Sequence, residues 1–175
     1  MARGGGAKTT AKGKAKLELW VELASTYSYL TAERIGKVAE AARVEVAWRP
    51  FLLGPLFAKQ GWNDSPFNLH PAKGRYMWRD LERLCQGYGL PFQRPSAFPR
   101  RSLLAARVAT LAEAEGWCEA WCRAVYRAEF ARDRDIAEPA VLSDLLETLG
   151  QDPARVLDAA ASPEVKARLR ARTEE

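Results

Sequence analysis

Cysteine and histidine are scarce in this 175-residue chain: Cys85, Cys118, Cys122 and a single His70. The cysteines form no C-x-x-C pair and no four-ligand set, which excludes a dithiol redox motif and a zinc framework. Cys118 and Cys122, four apart on an expected helix, share one face where a bridge rarely fits, so free, buried thiols are expected. Asp133, Asp135 and Glu138 lack the glycine and terminal glutamate of a calcium loop and read as helix-boundary acids; no metal is expected. His70, beside Pro71 in a turn-rich stretch, reads as a surface residue rather than a general base.

Long apolar runs are also missing. No window approaches the ~18 consecutive apolar residues of a membrane span, and the N-terminus lacks the apolar stretch of a secretory signal, so no membrane partner and a cytoplasmic location are expected. The body of the chain lacks an excess of either charge. Of 27 basic residues, five lie in residues 1–16 without an acid, leaving 22 against 22 acids and a formal charge of +5 that belongs to the tail. Specific nucleic-acid binding would need a surplus or a stripe in the body, and is not expected. The tail itself, Gly, Ala, Thr and Lys with nothing bulky after Met1, reads as disordered.

What is present is a core: 47% of residues are hydrophobic and six are tryptophan. Leu17, Leu19, Val21 and Leu23 alternate with Glu18, Trp20 and Glu22, the period of a strand. Tyr29, Leu30, Ile35, Val38 and Ala42 follow at helical spacing, with Ser25 or Thr26 as N-cap. The run at 44–48, closed by Pro50, reads as a second strand, making one βαβ unit over 17–50. Beyond it the chain is helical. A short turn holds Gly54 and Pro55, a polar loop spans 61–71, and helices are expected over 72–88, 102–115, 117–132 and 139–149. Asp152-Pro153 and Ser162-Pro163 start two more. Trp20, Trp117 and Trp121 fall at positions assigned to packing.

The segment ELASTYSYL, residues 22–30, puts Ser25 and Ser28 where a strand turns into a helix. There the first-turn N–H groups and the helix dipole stabilise an anion, and a thiolate would have a lowered pKa. The segment has no cysteine, so the sulfur would come from elsewhere. Its S-x-x-S stands where thioredoxin-like proteins carry C-x-x-C.

With WRPFLLGPLF at 48–57, GWNDSPFNLHPAKGRYMWRDLERL at 61–84 and LPFQRPSAFPRRSLLAARV at 90–108 in the same order, the chain resembles the 2-hydroxychromene-2-carboxylate isomerase and kappa-class glutathione transferase family over residues 17–175. Thr26 stands for the family's proline and Glu22 for its aspartate. The resemblance implies an α/β, DsbA-like thioredoxin fold: a βαβ part over 17–50, an all-helical insert over 51–161, and a returning helix over 162–175. The family's cis-proline motif, C-terminal β-hairpin and last helix do not follow, so the expectation is a chain lacking them or one whose sheet another chain completes.

The resemblance further implies glutathione as cofactor, a small aromatic substrate, aromatic-compound catabolism and a homodimer. Ser25 matches the catalytic serine, whose hydroxyl would hydrogen-bond the glutathione sulfur and favour the thiolate. Asn63 or Asp64 matches the loop asparagine and Lys73 the lysine that holds the glutathione backbone. Arg49, Arg75, Trp78 and Arg79 are substrate candidates by charge and neighbourhood. The implied reaction is thiolate addition to an aromatic ketoacid, rotation about the bond made single, and elimination. Two alternatives stand beside this isomerase: a kappa-like transferase using the same Ser25, and a non-catalytic truncated binding module. Without the resemblance, Ser25 would read as an N-cap alone.

Overall fold

The alternating apolar residues fold as a strand, β1 (Ala15–Val21), in a computed structural model that describes residues 14–175. The basic tail lies outside the described residues up to residue 13, and β1 begins two residues before the expected Leu17. Helix α1 (Thr26–Ala42) returns the chain to β2 (Val44–Pro50), which pairs parallel to β1 in the register Ala15↔Val44 to Val21↔Pro50. α1 ends where Arg43 turns left-handed, φ 56°. These are the two strands of the sheet among the described residues.

Eight helices follow. They are α2 (Leu53–Lys59), the single turn α3 (Pro66–Leu69), α4 (Pro71–Tyr88), α5 (Leu103–Glu115), α6 (Cys118–Arg132), α7 (Pro139–Thr148), α8 (Pro153–Ala160) and α9 (Pro163–Glu174). Two of the starts read from sequence close as expected: Asp152 accepts from the N–H groups of Ala154 and Arg155, and Ser162 from that of Val165. α3 occupies what reads as loop, because Ser65 caps it by accepting from the N–H of Phe67 and Pro66 supplies its first turn.

α1 lies between β2 and α6, and α5 packs on α6, α8, α9 and β2. The core centres on α6: Phe130 stacks with Tyr29 of α1 and with Tyr126, which meets Tyr29 at a tilt, and Trp121 donates its indole N–H to the carbonyl of Ala105. Cys85, Cys118 and Cys122 are free and buried, as the sequence suggests. Trp20 departs from its expected packing role. It sits on the sheet face opposite Val21, is 36% exposed, and meets Phe51 edge-on and the guanidinium of Arg172, which cover it only in part.

α4 approaches α3 so closely that a Cβ on Gly74 would clash with the carbonyl oxygen of Phe67. Backbone cannot yield as a side chain tip does. Gly74→Ala is therefore expected to lower stability by about 1–3 kcal/mol, the usual cost of overpacking, measured by urea denaturation. An unchanged midpoint would show that the contact is not a constraint.

Candidate functional site

A cavity of about 590 Å³ opens where β1 ends, walled by the turn into α1, by α2, by the 62–67 segment and by residues 98–103. Its volume falls within the roughly 300–1,000 Å³ of small-molecule sites. Leu52, Leu53, Phe57, Trp62, Phe67 and Phe98 make most of the wall apolar and aromatic. Phe57 and Trp62 lean together with ring centroids 5.5 Å apart.

Ser25 is on this wall at the N-cap of α1, with extended backbone (φ −85°, ψ 122°). Its backbone N–H donates to the carbonyl of Glu22 (3.0 Å), which tightens the turn. Its side chain makes no capping bond. The ordinary occupation of a serine before a helix is thus unfilled, and the half-buried hydroxyl is free for a ligand.

Glu22 lies beneath the same turn. Only 7% exposed, its carboxylate accepts from the hydroxyl of Ser102 and from the N–H of Ala24 (3.1 Å), while its carbonyl accepts from the phenol of Tyr126 (2.9 Å). Burial pushes this carboxyl above its ordinary range against the two hydrogen bonds, which pull the other way. Ser102 precedes α5 without capping it, its hydroxyl being spent on Glu22. Two helices, α1 and α5, therefore begin at the cavity with no side chain on their first-turn amides, and their positive ends face the same space.

The opposite wall is held by Arg100, whose side chain is 5% exposed. Its guanidinium donates to Glu129 (3.2 Å), Asp133 (2.5 Å), the carbonyl of Arg134 (2.9 Å) and the hydroxyl of Ser96 (3.1 Å). Glu129 is fully buried, and burial carries its carboxyl up to about 7 although Arg100 opposes the shift. Asp133, expected as a helix-boundary acid, does cap the C-terminus of α6 in a left-handed conformation, and it also anchors this network. Arg101, next along the cavity wall, is exposed and has no ion pair among the described residues.

Of the residues singled out from sequence, the cavity brings together Ser25, Asn63 and Asp64. Asp64 is also engaged with the amide of Asn68 (3.1 Å) and the backbone N–H of Ser65 (2.6 Å). Lys73 stands outside, its ammonium 5.8 Å from the ring of Phe67 on the first turn of α4. The four substrate candidates do not line the wall. Arg49 is locked between Glu18 (2.8 Å) and Glu113 (2.5 Å), and Arg79 pairs with Glu82 on an exposed face. Arg75 is exposed on α4, and buried Trp78 backs the cavity by meeting Phe98 edge-on at 4.9 Å. Arg100, Arg101, Ser102 and the aromatic wall take the place they were given. The signal for them was FPRRS, two adjacent cations between a proline and a helix start.

No group of three or more potential metal ligands occurs among the described residues, and no described helix is long and apolar enough to cross a membrane. No cysteine is among the lining residues, and burial pushes the Cys85 thiol up to about 11. A reactive sulfur in this cavity would have to arrive with a ligand.

Comparison with known proteins agrees with this architecture. The human protein glutathione S-transferase kappa 1 is 28% identical over 168 residues, covering 90% of this chain and 74% of that protein. The solved structure of a 2-hydroxychromene-2-carboxylate isomerase superposes with a TM-score of 0.78 at 22% identity, covering 91% of this chain and 77% of that one. A structure from Streptomyces coelicolor, named a probable DsbA oxidoreductase, superposes with a TM-score of 0.67 at 25% identity, covering 91% and 75%. The family model described as DSBA-like thioredoxin domain matches residues 16–175, and the chain belongs to that family, with a thioredoxin-like βαβ unit carrying a large helical insert.

Proposed function

We propose that the cavity binds glutathione and that the chain is a glutathione-dependent isomerase acting on a small aromatic ketoacid. The observation that carries this reading is the Ser25 hydroxyl, unused by the helix it precedes and set on the wall of a cavity without its own sulfur. Glutathione would supply the nucleophilic sulfur that adds to a conjugated acceptor and leaves again after rotation. The chain's contribution is electrostatic. Ser25 donates a hydrogen bond to the sulfur, and the open N-terminus of α1 favours its anionic form. Asn63 and Asp64 offer an amide and a carboxylate to the tripeptide's polar groups, and Phe57, Trp62, Phe67 and Phe98 offer flat apolar surface to an aromatic acceptor. Arg101, on the same wall and without an ion pair among the described residues, suits the acceptor's carboxylate.

Similarity to a protein named glutathione S-transferase kappa 1 favours a second reading, conjugation of glutathione to an electrophile. It would use the same Ser25 and differ in the acceptor. Calorimetric titration comes first: saturable heat with glutathione at or below millimolar concentration is expected. Absence of heat at millimolar ligand would leave the binding-module reading in front. Parallel assays of isomer interconversion and of conjugation then separate the two enzymes.

A further inference from the structure

A second concavity, of about 390 Å³, lies between α2, α5 and α9. Its floor is Leu52, Pro55, Leu103 and Leu169. Around it stand Lys59 from the end of α2, Arg107 from α5 and Lys166 from the first turn of α9. Among the described residues none of these three makes an ion pair, whereas Arg170 and Glu174, which also line the groove, neutralise each other at 3.0 Å. Arg49, Arg100, Arg123, Arg127, Arg134, Arg155 and Arg172 all rest against carboxylates.

Three uncompensated cations from three helices, converging over an apolar floor, are complementary to one kind of occupant. We propose that this groove is a ligand site for an amphipathic organic anion, specifically a medium-chain aliphatic carboxylate. The aliphatic chain would cover the leucines and Pro55 and remove its methylenes from water, and the carboxylate would accept charge-assisted hydrogen bonds from Arg107 and Lys166. Inorganic phosphate would leave the floor wet. Single-stranded nucleic acid would find no aromatic side chain among the lining residues on which to stack a base. The volume suits a small molecule.

The site is separate from the glutathione cavity but shares a partition with it. Leu52, Pro55 and Leu103 line both spaces, and no residue of α2 is fully buried. An occupant of the groove would press on the wall it shares with the cavity that Ser25 lines.

The test is calorimetric titration of the full chain with decanoate below its micellar concentration, and with decanol and decylamine at the same concentrations. None of these readings depends on glutathione chemistry. Saturable 1:1 binding of decanoate is expected, weakened about tenfold or more in Arg107→Gln/Lys166→Gln, the loss anticipated for removing charge-assisted hydrogen bonds. Arg101→Gln, which alters only the other cavity, should leave it unchanged. The ligand series carries the test without any variant: decylamine must bind about tenfold or more weakly than decanoate. Equal binding of decanol or decylamine, absence of saturation, or loss of binding in Arg101→Gln would overturn the proposal. So would sedimentation showing that a second copy of the chain fills the groove and is released by Arg107→Gln/Lys166→Gln.

Discussion

Ser25→Ala is expected to lower glutathione-dependent turnover by about a hundredfold or more while leaving glutathione affinity nearly unchanged. The magnitude is that of deleting one preorganised donor to a reacting anion, roughly 10²–10³ in kcat. The split between kcat and affinity follows from the proposed role, in which the hydroxyl acts on the sulfur and not on the rest of the tripeptide. A serine at a helix start ordinarily stabilises its helix, and replacing it by alanine costs about 1 kcal/mol. Here the side chain makes no capping bond, so the melting midpoint should scarcely move. The pH dependence gives an independent readout. With the donor gone, the bound thiol should titrate nearer its ordinary value, about 8.5, and the rising limb of the rate profile should move to higher pH. Unchanged turnover, or a stability loss equal to that of a working cap, would remove Ser25 from the role assigned to it.

Arg100→Ala is expected to destabilise the fold by about 3–5 kcal/mol at pH 8, the cost of leaving a buried partner unpaired, and by clearly less at pH 5. The pH dependence resides in Glu129. Its carboxyl is raised from 4.5 to about 7, first by burial and against the pull of Arg100. A raised carboxyl means that the folded state holds the proton longer than the unfolded state. Its stabilising contribution is therefore complete below about 4.5 and lost as pH climbs through about 7, a difference on the order of 3 kcal/mol. Without the guanidinium, ionised Glu129 has no neutralising partner at pH 8, whereas at pH 5 it remains a neutral acid. Urea denaturation across this range measures both effects. Glu129→Gln should flatten the profile of the parent chain, and an Arg100→Ala penalty equal at the two pH values would show that Glu129 is not the group responsible.

The parts of the fold written in short-range pattern were legible. Alternation marked β1, helical spacing marked α1, and the Asp-Pro and Ser-Pro pairs marked the starts of α8 and α9 with their capping bonds intact. The position of Ser25 was legible too, because the junction of a strand and a helix is a local feature. What escaped depends on contacts between distant residues. Glu22 reads as an outward strand residue until Ser102, eighty positions on, gives it a proton donor. Arg100 reads as one cation among many until Glu129 and Asp133 surround it. Arg49 carries the right charge for a substrate contact, but its register opposite Trp20 delivers it to Glu18 and Glu113 and not to the cavity. Trp20 was misplaced for a different reason: alternation says which residues share a face, not how completely that face is covered.

α2 stands between the two hollows without committing a single side chain to the interior. Such an element can drift. Mutations over residues 53–59 can reshape what enters from either side while the aromatic stack of Tyr29, Tyr126 and Phe130 goes on specifying the same architecture. Selection for new acceptors has there a dial detached from foldability, and chimeras that exchange only this heptapeptide would inherit the donor's selectivity with the host's melting behaviour.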